Sequence, residues 1–291
     1  MATATTQAYS AARSFLFVPG NRPAMFAKAA SSGADVVVLD LEDSVPDAEK
    51  ASARDEISAA WQKLAPLPSA LMVRMNTPES AAGAQDIEWL QALRPAAIMV
   101  PKAESGATLA ALHARLEPTA LIPLIESAAG HAALAEVAAA PGVLRLAVGH
   151  IDFMADTGIQ CDEDQAELAP LRFAVAMATR INALAPAIDG VTVQVDDVEC
   201  LERDTRRAVR YGFGAKLCIH PRQVAVVHSA LAPTDDELAW AKRVVAADRV
   251  AGGAAIKIDG KMVDLPVVLQ ARRLLARAAR EVERVVRHDS E

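Results

Sequence analysis

The sequence predicts a (β/α)8 TIM barrel followed by a C-terminal helical lid segment, and three observations carry that prediction. Eight short apolar runs recur along the chain: FLFVPGN, DVVVLDLED, LMVRMN, AAIMVPK, LIPLIES, LRLAVGHID, IDGVTVQ and AKLCIHP. Continuous Val/Ile/Leu runs are the mark of parallel strands buried on both faces. Stretches with helical periodicity separate these runs, and strand, helix, strand repeated in this way demands crossover connections and a parallel sheet. Finally, eight is the number of strands that closes a barrel, and the chain has neither a G-x-G-x-x-G nor a Walker A sequence to favour an open nucleotide-binding sheet.

In chain order, residues 1–12 (MATATTQAYSAA) lack a basic region followed by an apolar stretch, so they read as a loose tail rather than a secretory signal. The first run ends in a Pro19-Gly20 turn, and Pro23 opens a helix over 23–31. Helical stretches at 47–64, 83–92, 105–116 and 130–139 then separate the second to sixth runs. From Met154 to Pro186 the spacing lengthens, with CDEDQAE as a loop or short helix and then the sixth barrel helix, Pro170 near its start. A helix over 199–211 precedes the eighth strand. The barrel is thus expected over 13–230.

Residues 231–291 exceed what closure requires. They comprise a helix capped by Thr234 or Asp235, an extended segment with turn residues (AGGAAIKIDGKMVDLPVVLQ) and a basic amphipathic helix. Such an appendage caps a barrel mouth, packs on a neighbouring subunit, or simply covers the barrel side.

Composition narrows the partners. At 291 residues and 52% hydrophobic, the chain can bury one large core, while a net charge of -7 argues against a nucleic-acid surface. No run of about 18 uncharged apolar residues exists to span a membrane. The three cysteines, Cys161, Cys200 and Cys218, have no CxxC spacing, which suits a reducing compartment, the cytoplasm, and gives no zinc site. A small-molecule partner is expected.

Chemistry-bearing residues close the predicted strands. Glu126 and Asp152 each follow an apolar run, and adjacent strand ends lie roughly 5 Å apart, so both carboxylates can face one ion. Hard oxygen ligands without His or Cys select Mg²⁺ or Mn²⁺. The same acids in an ordinary ion network with Arg74 or Lys102 are the alternative. Asp40 and Glu42 share one strand face and need a cation, for which Arg74 at the end of the third strand is the natural partner. Arg74 then either neutralises them or also reaches substrate. Asn21, Arg22 and Lys28 gather donors near a helix N-terminus, as a phosphate-bearing ligand would require and as a solvated helix face would also show. His150 and His220 each fit a structural role as well as a catalytic one, and neither is assigned.

At these residues the chain resembles the citrate lyase β-subunit-like family, within the HpcH/HpaI aldolase and malyl-CoA lyase group. The motifs are RSFLFVPGNRP, GADVVVLDLEDSV, VRMN, MVPKAES, PLIESAAG, GHIDF, IDGV, KLCIHPRQV and DGKMVDLPVV, spread from Arg13 to the C-terminal helix. The resemblance implies Mg²⁺ held by Glu126 and Asp152, Arg74 contacting the bound acid, and the 3'-phospho-ADP of CoA near Arg13, Asn21, Arg22 and Lys28. It also implies a homo-oligomer, a trimer or hexamer, in which Asp264 of an adjacent subunit is the acid/base. GHIDF replaces the commoner G-A-E-D-L, and GVTVQVDD replaces a Tyr-Pro-Asp stretch, so the citramalyl-CoA-like subgroup is the closer match. The implied reaction is cleavage of a 3-hydroxyacyl-CoA into a CoA thioester and a 2-oxo acid. A malyl-CoA-type thioesterase, a lyase subunit acting on an acyl-carrier-protein thioester, and a non-catalytic CoA-binding barrel are the alternatives.

Overall fold

The computed structural model describes residues 4–288 and divides into two compact units, Met1–His228 and Ser229–Glu291. Unit 1 begins with helix α1 (Ala4–Ala11), then β1 (Ser14–Pro19), α2 (Pro23–Ala30), β2 (Val36–Asp40), α3 (Lys50–Leu64), β3 (Ala70–Arg74) and α4 (Ala81–Leu93). It continues with β4 (Ala97–Val100), α5 (Gly106–Leu116), β5 (Ala120–Ile125), the short helices α6 (Ala128–Ala132) and α7 (Leu134–Ala139), β6 (Ala147–Val148) and α8 (His150–Thr157). The last pairs are α9 (Ala169–Ile181), β7 (Ile188–Asp189), α10 (Val198–Arg210) and β8 (Ala215–Cys218), with α11 (Arg222–Leu231) running across the division between the units.

Strands β1 to β8 pair in sequence order, and β8 closes on β1, so the sheet is a closed eight-stranded parallel barrel. The serines ahead of α4, α5 and α6 explain where those helices begin. Ser80, Ser105 and Ser127 each accept the backbone N–H three residues on, satisfying a donor that the first turn leaves open.

Alternate strand residues fill the barrel axis. Phe15, Val36, Val38, Met72, Met99, Ile122, Leu124, Ile188 and Leu217 belong to one buried cluster. With a two-residue side-chain period, this parity carries Asp40, Arg74 and Glu126 to the axis at the carboxyl ends of their strands. The opposite parity sends Asp189 and Lys216 to the outer wall. There Asp189 pairs with Lys216 at 3.4 Å and with Arg172 of α9 at 3.0 Å, all fully buried.

The N-terminal segment departs from the loose tail expected over 1–12. Residues 4–11 are helical, and Tyr9 and Ala12 are buried in the barrel cluster. The physical reason is Arg145, two residues ahead of β6, which lies over the Phe15 ring at 5.3 Å and donates from Nη1 to the carbonyls of Tyr9 and Ala12, both at 2.9 Å. Its Nη2 donates to the Pro186 carbonyl. The Tyr9 hydroxyl adds a bond to the Leu71 carbonyl at 2.6 Å. A buried guanidinium bonded to main-chain carbonyls thus stops the amino end of the barrel, and burial pushes its pKa down to about 9 against the pull of Asp35.

Unit 2 holds α12 (Asp235–Ala251), a hairpin of β9 (Ile256–Ile258) and β10 (Lys261–Val263), and α13 (Leu265–His288). Thr234 and Glu237 form a reciprocal capping box at the start of α12. Ala241, Val244, Val263, Val268 and Ala271 form a separate small core. Among the described residues, no helix is long and apolar enough to cross a membrane.

Candidate active site

Because every strand is parallel, the carboxyl ends of all eight gather at one mouth. A pocket there is lined by Arg74, Glu126, His150 and Asp152, with Phe17, Leu124, Val148, Ile151, Val191 and Leu217 as its apolar wall.

Arg74 is the most heavily bonded group in the mouth. Its Nε and Nη2 make a two-pronged contact with Asp40 at 2.6 and 2.7 Å, and its Nη1 lies 2.8 Å from Glu42 and 3.1 Å from Asp43. The Phe17 ring lies 4.8 Å beneath the guanidinium. Burial opposes the charge on both Arg74 and Asp40, but their mutual hydrogen bonds and attraction outweigh it, raising the Arg74 pKa and lowering that of Asp40. Ser44 Oγ adds a 2.5 Å bond to Asp40. Glu42 has no such two-pronged partner. Burial, with help from Asp43 and Asp40, pushes its pKa up to about 7 against the pull of Arg74.

Glu42 lies two residues beyond β2, so its position depends on what holds the loop. Lys50 Nζ donates to the carbonyls of Leu41 and Glu42 at 3.1 and 3.2 Å and to Asn76 Oδ1. Asn76 is fixed by Asp86 at 2.7 Å, and Asp86 by Arg54 at 2.8 Å. The ends of β2 and β3 are thereby tied into one buried network.

Glu126 follows β5 and is 2% exposed. Its Oε1 accepts the Lys102 main-chain N–H at 2.7 Å, while its buried Oε2 has no hydrogen-bond partner. Burial, followed by the charge of Glu42, pushes its pKa up to about 8. Asp152 differs from the expected strand end, because β6 stops at Val148 and Asp152 lies in the first turn of α8. It still lines the same pocket. Burial and then Asp43 raise its pKa as well.

A buried, partnerless carboxylate oxygen beside a second carboxylate is a donor set that fits a divalent hard cation. Among the described residues no group of three or more His, Cys, Asp or Glu side chains is placed to hold a metal ion by itself. An ion on Glu126 and Asp152 would therefore complete its shell with water and ligand oxygens, as Mg²⁺ commonly does.

The residues expected near CoA do not all come together. Asn21 follows β1, donating from Nδ2 to Glu49 at 2.6 Å while its buried Oδ1 has no hydrogen-bond partner, and Arg22 is the exposed residue ahead of Pro23 in α2. Lys28 is in the last turn of α2, away from its N-terminus. Arg13 is a correction: it precedes β1, its main-chain N–H bonds Asp35 at 2.6 Å, and six strand residues, roughly 20 Å of extended chain, separate it from Asn21. Asp264 belongs to unit 2, half-buried between β10 and α13, where its carbonyl accepts the Val268 N–H at 3.0 Å.

Sequence reasoning missed Asp43 and Phe17 as partners of Arg74, and also Gly149. A β-carbon on Gly149 would stand 2.4 Å from Glu126 Oε2. His150, left unassigned, is buried, lines the pocket, and has its pKa pushed down to about 4 chiefly by burial, so it is neutral there.

Residues 13–221 match the model of the HpcH/HpaI aldolase/citrate lyase family. The chain belongs to that family. It is 38% identical over 270 residues to a citrate lyase subunit beta-like protein of Mycobacterium tuberculosis, covering 91% of this chain and 94% of that one. It is 33% identical over 297 residues to the L-malyl-CoA/beta-methylmalyl-CoA lyase of Cereibacter sphaeroides, covering 90% and 93%. The CitE protein of M. tuberculosis, solved in complex with magnesium, acetoacetate and coenzyme A, superposes with a TM-score of 0.82 at 36% identity, covering 93% of this chain and 99% of that one. The family member described here thus combines the barrel with the acid-lined mouth.

Proposed function

We propose that the mouth cleaves a carbon–carbon bond in a 3-hydroxyacyl-CoA of the citramalyl-, malyl- or citryl-CoA type, giving acetyl-CoA and a 2-oxo acid in a retro-Claisen or aldol-type reaction. The observation that carries this reading is Glu126 Oε2, buried and partnerless in a pocket shared with Asp152 and Arg74. The CitE complex with magnesium, acetoacetate and coenzyme A supports it.

Glu126 and Asp152 would hold Mg²⁺, and Mn²⁺ suits the same oxygen ligands. That ion would supply Lewis-acid polarisation of the substrate's oxygens. Arg74 presents a guanidinium whose orientation is set before substrate arrives, because Asp40 grips it in a fork and Phe17 supports its face. The apolar wall from Phe17 to Leu217 keeps bulk water from the reacting carbons. Asp264, from a neighbouring copy in a trimer or hexamer, is assigned the proton transfer at the thioester α-carbon on the strength of the family resemblance. Asn21, Arg22 and Lys28 are assigned the CoA phosphates, and Arg13 leaves that set because it stands at the other end of β1.

The test is product identification. Purified protein is incubated with Mg²⁺, acetyl-CoA and pyruvate, glyoxylate or oxaloacetate in turn, and the products are weighed by mass spectrometry. A 3-hydroxyacyl-CoA from one of the oxo acids is the expected product. The same protein is then given malyl-CoA or citramalyl-CoA, from which a lyase releases acetyl-CoA and a 2-oxo acid and a thioesterase releases free CoA and the hydroxy acid. The thioesterase products, or unchanged acetyl-CoA in the condensing direction, would overturn the lyase reading.

A further inference from the structure

At the end of β4 the chain turns through Lys102 with φ at +44°. Glycine adopts that left-handed conformation freely, whereas a side chain holds it only under constraint. Two main-chain bonds impose it here: Lys102 N–H to Glu126 Oε1 at 2.7 Å, and Ala103 N–H to the Leu124 carbonyl at 3.3 Å. A glycine would make the same turn with less strain. The lysine side chain is therefore the part that the turn does not need.

That side chain is 47% exposed, and its Nζ stands 3.9 Å from Glu42 Oε1, too far for a hydrogen bond. Glu42 is also the acid that Arg74 Nη1 meets at 2.8 Å, so the Lys102 ammonium stands at the edge of the same acid cluster. Arg74 is more committed. A guanidinium has five N–H donors. In Arg74 the Nε donor and one on Nη2 serve Asp40, and Nη1 faces Glu42 and Asp43, which leaves a single donor on Nη2. Asp40, Glu42 and Asp43 thus crowd one guanidinium, with Glu126 and Asp152 lining the pocket beside it.

We propose that Lys102 is a substrate-contacting residue, whose ammonium pairs with the carboxylate of the acid bound against Glu126 and Asp152. It supplies the positive charge that Arg74 has already committed to Asp40, Glu42 and Asp43. The proposal rests on the lyase reading above, and removing the ammonium should act in opposite senses on the two ligands. Fewer positive charges beside the acids favour a metal cation, and the same loss disfavours an anion.

Lys102→Met, Lys102→Gly and Lys102→Arg are made in the full chain and titrated by calorimetry, first with Mg²⁺ alone and then with pyruvate or glyoxylate at saturating Mg²⁺. In the Met and Gly variants Mg²⁺ affinity should hold or tighten, while acid affinity falls about 3- to 10-fold. The Gly variant should melt near wild type, because relief at φ +44° offsets the freer unfolded chain. The Arg variant should recover most of the acid affinity. Unchanged acid affinity in the Met variant would overturn the proposal, and so would loss of both ligands together with a lower melting temperature. Wild-type protein that takes up no Mg²⁺ would instead overturn the lyase reading itself.

Discussion

Gly149 and Glu126 are in such close contact that a β-carbon on the glycine would lie 2.4 Å from the carboxylate's free oxygen, Oε2. The backbone of Gly149 cannot retreat, because its N–H bonds the Ile125 carbonyl at 3.0 Å and continues the pairing of β5 with β6. Gly149→Ala should therefore displace the Glu126 side chain and leave the barrel folded. We expect Mg²⁺ affinity to fall about 10- to 100-fold, the range typical when a ligand loses its support, as read by calorimetry.

Glu126→Gln and Asp152→Asn each remove one anionic oxygen while preserving shape. Magnesium-dependent turnover should disappear in both, with circular dichroism unchanged. Wild-type turnover in either variant would refute the metal assignment.

Arg74→Lys tests the fork. A lysine cannot reproduce the paired contact with Asp40 at 2.6 and 2.7 Å or the placement over Phe17. Turnover should fall about 100-fold, since removing one oriented donor at a developing charge commonly does so. Substitution of Asp40 by Asn should produce part of the same loss, measured as kcat rather than KM.

Asp264→Asn should lower kcat about 100-fold or more if the residue moves the α-proton, with CoA affinity little altered. A rise in KM alone would make it a binding residue instead.

The pH dependence of the metal-free protein follows from the raised carboxyl groups. Glu126 titrates at about 8 and Glu42 at about 7 when folded, against ordinary values near 4.5. The folded state thus holds protons that the unfolded chain has released, so the stability linked to them is fully present below pH 4.5 and is lost as pH rises through 7 and then 8. In EDTA the melting temperature should decline between pH 5 and pH 8.5, and Glu126→Gln should flatten the upper part of that slope. A melting temperature that rises across this interval would contradict the assignment.

Much of this site was legible along the chain because parallel strands must all end on one side. Arg74 and Glu126 close apolar runs, and the alternation linking Asp40 to Glu42 correctly brought both to Arg74 even though Glu42 lies past the strand. Asp152 lines the mouth but from the first turn of α8 and not from a strand end, since the two-residue β6 ends earlier than LRLAVGHID implies. Arg13 was misplaced for a simple reason. Its motif neighbours Asn21 and Arg22 are close in sequence, and a strand lies between them.

The N-terminal helix and the role of Arg145 left no comparable mark. MATATTQAYSAA has little apolar periodicity, and nothing adjacent to Arg145 shows that its partners are carbonyls of Tyr9 and Ala12, more than 130 residues away. Long-range contacts of this kind depend on chain closure and not on local pattern.

By itself, the sequence determined the number of strands, their common direction, and that Arg74 and Glu126 would reach the mouth, because hydrophobic period and strand parity are local properties. Only the tertiary structure decided that Asp43 joins Asp40 and Glu42 on Arg74, that Gly149 leaves room for Glu126, and that one oxygen of Glu126 is left without a partner. Those facts depend on distances between different strands and loops. Such distances are set when the barrel closes and buries the charges together, where each changes the free energy of the others.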